Sequence, residues 1–129
     1  MKYVCLGYMD PKKWEAVSAS ERNAFVDECF AYDDVLRKNG HFVGGEALQG
    51  PQNATTLRFQ NGKVFVTDGL FAETKEQLAG FYMIEAKDLN EAIQIGSKIP
   101  PARVGSIEVR PIRPIRETVA QAEATKAKR

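Results

Sequence analysis

Gly80-Phe81-Tyr82-Met83-Ile84-Glu85-Ala86, followed one residue later by Asp88-Leu89-Asn90-Glu91, is the stretch on which the fold turns. The first part has the length of a strand and apolar side chains on both faces. Asp88 and Glu91 have the spacing of a capping box, so a helix starts there. Leu89, Ala92, Ile93 and Gly96 supply its apolar side, and Pro100-Pro101 forbids it from continuing. Ser106-Ile107-Glu108-Val109-Arg110 then alternates as a last strand. Strand, helix, strand is the plan of this half of the chain.

The other half of the chain repeats the order. Tyr3 to Tyr8 is an almost unbroken apolar strand closed by Asp10-Pro11, with a short turn of helix predicted around Pro11 to Ala16. Ser18-Ala19-Ser20-Glu21 is a second capping box, and Phe25, Cys29, Tyr32 and Leu36 recur at i, i+4, i+7 and i+11 as one stripe. Asn39-Gly40 ends this helix, with Lys38 in its last turn. His41 to Glu46 is a short strand bent at Gly44-Gly45, and Gly50-Pro51 closes the segment. Between the halves, Thr55–Phe59 and Lys63–Thr67 flank Gln60-Asn61-Gly62, where Asn61-Gly62 signals a hairpin. Asp68 to Phe71 breaks that strand, and Ala72 to Gln77 is a polar loop or helical turn. The order predicts an α+β, ferredoxin-like βαββαβ fold with an inserted β-hairpin and an antiparallel sheet.

Composition bounds the function. The chain has 129 residues, 43% hydrophobic, with 18 Lys+Arg against 17 Asp+Glu. A formal net charge of +1 supplies no basic excess for nucleic acid or an anionic membrane. From residue 113 onward five bases face two acids, a net of +3, which leaves −2 on the body. The expected organisation is one domain over residues 1–112 and a basic tail over 113–129, flexible or helical. The first ten residues read as a strand rather than a targeting segment, and no apolar run approaches the roughly 20 residues of a membrane span. Two cysteines without a secretory signal are expected to stay reduced, in a cytoplasmic protein, with Cys29 packed on the stripe of its helix.

Alternation gives a further expectation. An antiparallel sheet covered on one face should be polar on the other. Only Thr55–Phe59 and Ser106–Arg110 obey, whereas Tyr3-Val4-Cys5-Leu6, Val64-Phe65-Val66 and Phe81-Tyr82-Met83-Ile84 are apolar on both faces. Two helices cannot cover both sides. A second copy of the chain, sheet against sheet, is the expected cover; the tail or the inserted hairpin folding back is the alternative. Glu108 and Arg110 lie opposite in phase to Ile107 and Val109, and on the second face they would give an enclosed inter-sheet space its polar handles.

The segment from Val66 to Tyr82, with Asp68-Gly69-Leu70-Phe71 near its start, closely resembles the signature of the YCII-related proteins of the DGPF type. Gly44-Gly45-Glu46-Ala47-Leu48, Thr55-Thr56, Ile99-Pro100 and Gly105 to Pro111 match further blocks in order, so the resemblance covers roughly residues 2–112. Leu70 stands where the motif has proline, which leaves the turn after Gly69 less rigid. The resemblance implies a ferredoxin-like fold that dimerises into an α/β barrel with clefts between sheets. Members are mostly uncharacterised, and some are linked to transcription initiation or extracytoplasmic sigma factors. Related proteins carry a His/Asp pair in the cleft; its histidine falls near Cys29 here and its aspartate near Ser97 to Pro100, and neither is present.

Candidate site residues follow. His41, the single histidine, can act as a general base near neutral pH if Asp68 or Glu46 orients it; otherwise it is a strand-edge residue. Asp68 is either a catalytic carboxylate or the acceptor of an Asx turn. Glu73, Thr74 and Lys75 can grip a polar ligand from a loop, Glu46 is a cleft carboxylate or a solvent-edge residue, and Arg110 is a substrate clamp or the cross-strand ion-pair partner of Glu108. Tyr8, Trp14 and Phe71 can line a cleft or anchor a core. No metal site is expected from one histidine without Cys-x-x-Cys spacing, and no cofactor from a chain lacking phosphate-binding and nucleophile-elbow motifs. The functional expectation is a homodimer binding a small polar or aromatic molecule in an inter-sheet cleft, which it senses or turns over by acid–base chemistry. The alternative is a non-enzymatic interaction module accessory to transcription.

Overall fold

The computed structural model describes residues 1–116. Residues 117–129, most of the predicted basic tail, lie outside the described residues. The chain forms β1 (Lys2–Met9), α1 (Pro11–Glu15), α2 (Ala19–Lys38), β2 (Phe42–Ala47), β3 (Thr55–Gln60), β4 (Lys63–Asp68), β5 (Gln77–Glu85), α3 (Leu89–Ser97) and β6 (Gly105–Pro111). Single 3-10 turns at Pro51–Asn53 and Pro100–Arg103 start at prolines, which cannot donate the hydrogen bond that a continuing helix needs.

The helix signals translate into atoms. The Ser18 hydroxyl accepts from the Glu21 backbone N–H at 3.2 Å, and the Asp88 carboxylate accepts from the Glu91 N–H at 2.9 Å. The Glu91 carboxylate closes its box one residue early, accepting from the Lys87 N–H at 3.0 Å. Asp10 caps α1 through the Lys12 N–H at 3.0 Å, with Pro11 at the first helical position. Gly40 takes φ +76° at the end of α2. Asn61 and Gly62, at φ +50° and +76°, make the tight turn of the β3–β4 hairpin.

Four strands form one antiparallel sheet in the order β2-β5-β1-β6, the two β-α-β halves interleaved as the ferredoxin-like plan requires. The hairpin is a separate two-stranded sheet. All six residues of β4 are exposed, as are all those of β3 except Thr56. Val64-Phe65-Val66 therefore does not belong to the helix-covered sheet, and the hairpin buries neither of its faces over that sheet.

Register sorts the sheet into two faces, because directly paired residues project to the same side. Towards the helices stand the rows Phe42–Ile84–Tyr3–Pro111, Gly45–Tyr82–Cys5–Val109 and Ala47–Gly80–Gly7–Ile107. Away from them stand Gly44–Met83–Val4–Arg110 and Glu46–Phe81–Leu6–Glu108. The core lies at the large end of the first face, where Tyr3, Cys5, Ile84, Leu36, Ala92 and Ile99 are buried together. Ile84 is fully buried at its centre.

Candidate functional site

The helix-facing side of the sheet changes character along its length. The row through Ile84 and Tyr3 carries bulky side chains, but two rows on Gly80 and Gly7 sit directly opposite each other, flanked by Ala47. With Gly45 in the intervening row, four positions beneath the first half of α2 thus contribute almost no volume. The helix packs on the large end through Leu36 and through the Tyr32 hydroxyl, which donates to the Ile95 carbonyl at 2.7 Å. Its other half stands over the hollow. The result is a cavity of about 550 Å³ between α2 and the sheet, within the range that holds a small organic molecule.

Gly7, Gly45 and Gly80 form its floor, Phe25, Cys29 and Asp33 its roof, and Trp14 on α1 one side. Gly45 and Gly80 are also required by close approach. A Cβ on Gly45 would lie 2.7 Å from the Phe81 carbonyl oxygen, and one on Gly80 would lie 2.8 Å from that of Glu46. The lining is mainly apolar and aromatic, and Trp14 meets Phe25 edge-on with ring centres 5.3 Å apart.

One polar pair spans the cavity. The Tyr82 hydroxyl on β5 donates to Asp33 Oδ1 on α2 at 2.7 Å, both residues being half-buried. Burial, then the hydrogen bond and the negative charge of Asp33, push the Tyr82 phenol far above its ordinary range, so it stays a donor at neutral pH. Among the described residues, Asp33 Oδ2 makes no hydrogen bond. Both thiols that line the cavity are held protonated: burial pushes Cys5 up to about 11, and burial followed by the charges of Asp33 and Glu28 raises Cys29 against the opposing pull of Arg103. Neither is an activated nucleophile. The two cysteines are free. Cys29 is half-buried over the cavity rather than packed in the core.

The residues singled out in the sequence are dispersed. His41 Nδ1 bonds the Glu85 carbonyl oxygen at 2.8 Å, which makes it the donor, and lies 3.9 Å from a Glu91 carboxylate oxygen. Its acidic neighbour is thus Glu91 rather than Asp68 or Glu46. Asp68 ends β4 opposite Thr55, on the hairpin. The Gly69 carbonyl beside it accepts from the Thr56 hydroxyl at 2.8 Å, and Gly69 takes φ +111°. Thr74 turns inward on its own loop, donating to the Glu76 carbonyl at 2.6 Å, and Glu73 and Lys75 flank it, exposed.

Glu46 and Arg110 fall on the open face, in adjacent rows, with Leu6, Phe81, Val4 and Met83 between them. Arg110 is ion-paired to Glu108 at 2.9 Å along the same strand, not across strands as the sequence suggested. Glu108 and Arg110 do share the second apolar face. Of the candidate residues only Glu46 also borders the cavity, at its β2 edge, and of the three aromatics proposed for a cleft only Trp14 lines it. Tyr82, Asp33 and the facing glycines are the features that sequence reasoning missed. No group of three or more metal-ligating side chains occurs among the described residues, and no helix there is long and apolar enough to cross a membrane.

The chain matches the model of the YCII-related domain over residues 1–116. It is 36% identical over 114 residues to the uncharacterized protein R00369 of Rhizobium meliloti (strain 1021), a match covering 87% of this chain and 92% of that protein. A family match over all of the described residues, together with a relative at that identity and coverage, establishes that this protein belongs to the YCII-related family.

Proposed function

We propose that the protein is a homodimer in which each chain binds a small molecule with an apolar or aromatic body in the cavity beneath α2. The observation that carries the reading is the cleft itself: about 550 Å³ of space with a glycine floor, an aromatic wall and one oriented polar pair, Tyr82 and Asp33. A mainly apolar pocket with few convergent polar groups is the usual form of a small-molecule site. The Asp68-Gly69-Leu70-Phe71 segment, with leucine in the place of proline, supports membership of the DGPF-type subgroup.

Apolar surface outside the cavity supports the second copy. The open face presents Val4, Leu6, Phe81 and Met83 in two adjacent rows, and among the described residues no helix packs on it. The detached hairpin adds Phe59 at 75% exposure and Val66 at 65%, followed by Phe71 at 77%. Large apolar side chains left uncovered in this number favour an interface. In such a dimer Glu46, Glu108 and Arg110 would lie at the sheet-to-sheet contact, where they can set register or hold a polar ligand.

Trp14 makes the cavity directly observable, since it is the single tryptophan of the chain and stands in the cavity wall. Titration with small aromatic compounds is expected to give a saturable change in Trp14 emission. Cys29→Phe, which fills the space from the helix side, is expected to abolish that change while the protein remains folded by circular dichroism. Unchanged emission across the aromatic series, or a Cys29→Phe variant that responds like the parent, would refute the site.

A further inference from the structure

We infer that the ligand of this cavity is a small organic cation, an ammonium group carried on an apolar or aromatic body. The inference rests on the cavity reading above and adds the charge of the ligand.

Charge in the lining is one-sided. The charged residues that border the cavity are Asp33 and Glu46, and no lysine, arginine or histidine is among them. By register the Glu46 side chain belongs to the opposite face of the sheet, so Asp33 is the carboxylate that addresses the interior. Tyr82 holds it through Oδ1, and among the described residues Oδ2 accepts no hydrogen bond and is open to a donor. A half-buried carboxylate at the wall of an apolar cleft attracts a cation more strongly than a fully exposed one, and a bound ammonium offers up to three donors to it.

The aromatic wall favours the same sign of charge. Trp14, Phe25, Phe30, Phe42 and Tyr82 border the space, and the electron-rich faces of such rings attract cations. Two of them already do so from outside. The Arg37 guanidinium lies 4.5 Å from the Phe42 ring centre and that of Arg103 lies 6.0 Å from Phe25. Each arginine is committed to its own carboxylate, Arg37 to Asp34 and Arg103 to Glu28, so neither neutralises Asp33. An anionic ligand would meet a carboxylate with no compensating base, and a neutral one would leave Oδ2 without a charged partner.

The test uses the full chain and three probes that share one body: phenethylammonium, phenethyl alcohol and hydrocinnamate, each titrated by calorimetry and by Trp14 emission. The expected order places the ammonium first, by about tenfold or more over both others, as a charge-assisted contact in a partly dry site requires. Asp33→Asn keeps the acceptor for Tyr82 and removes the charge. It is expected to erase that preference, bringing the ammonium down to the affinity of the alcohol. If the alcohol or hydrocinnamate binds the parent protein as tightly as the ammonium, the cationic ligand class is wrong while the cavity reading survives. If none of the three binds, the cavity reading fails and the inference with it. The comparison of probes on the parent chain decides the matter even should the variant not fold.

Discussion

Replacing Ile84 with alanine is expected to destabilise the protein by about 2–5 kcal/mol, the range for truncating a large aliphatic residue in a closed core. Ile84 has 0% exposure, and in the sheet it stands between Tyr3 on β1 and Phe42 on β2. Its neighbours are fixed by strand pairing and cannot collapse inward to fill the space, which places the cost towards the upper part of the range. The same truncation at Ile93, 50% exposed on the outer side of α3, is expected to cost well under half as much. Urea unfolding at one protein concentration reads both. Equal losses at the two positions would contradict the placement of the core.

Stability is also expected to fall steeply in alkali, beginning near pH 9. Cys5 has 1% exposure, and burial raises its thiol from 9.0 to about 11. Below pH 9 the thiol is protonated in folded and unfolded chains alike, and its contribution is fully present. As pH rises towards 11 the unfolded chain gains a thiolate that the folded chain resists, so the contribution is lost, by roughly 3 kcal/mol over the interval. Tyr82 acts in the same sense above its ordinary value of 10.0, because burial and Asp33 hold its phenol protonated in the fold. Cys29 and Tyr32, both raised by burial first, add to the slope. Cys5→Ala is expected to cost some packing at pH 7 and to flatten the loss between pH 9 and 11. A parent protein with constant stability to pH 11, or a variant with an unchanged slope, would show that the thiol is not desolvated.

What the sequence disclosed and what it hid divide along the range of the interactions. Ser18 and Asp88 announce their helices because a cap is written within four residues, and Asn61-Gly62 announces its turn because positive φ is a local demand. The succession of strands and helices along the chain followed from the apolar runs and the two β-α-β halves. The cavity was illegible for the opposite reason. Gly7 and Gly80 are unremarkable separately, and only the pairing of β1 with β5 sets one opposite the other beneath α2. Tyr82 and Asp33 are likewise 49 positions apart and meet only through helix–sheet packing.

His41 found Glu85 and Glu91 because the chain leaves α2 beside the end of β5. Asp68 and Val64–Val66 moved away from the main sheet because the hairpin pairs only with itself. Arg110 reached its ion-pair partner two residues away on its own strand, a contact that alternation permits as readily as a cross-strand one. The apolar content on both faces of the sheet, in contrast, persists in the structure as Val4, Leu6, Phe81 and Met83 behind a sheet whose described helices lie on the other side.

Light scattering of the full chain at micromolar concentration asks most directly whether a second copy covers that face. A particle of twice 14.4 kDa is the expected result, and a particle of 14.4 kDa would contradict the dimer.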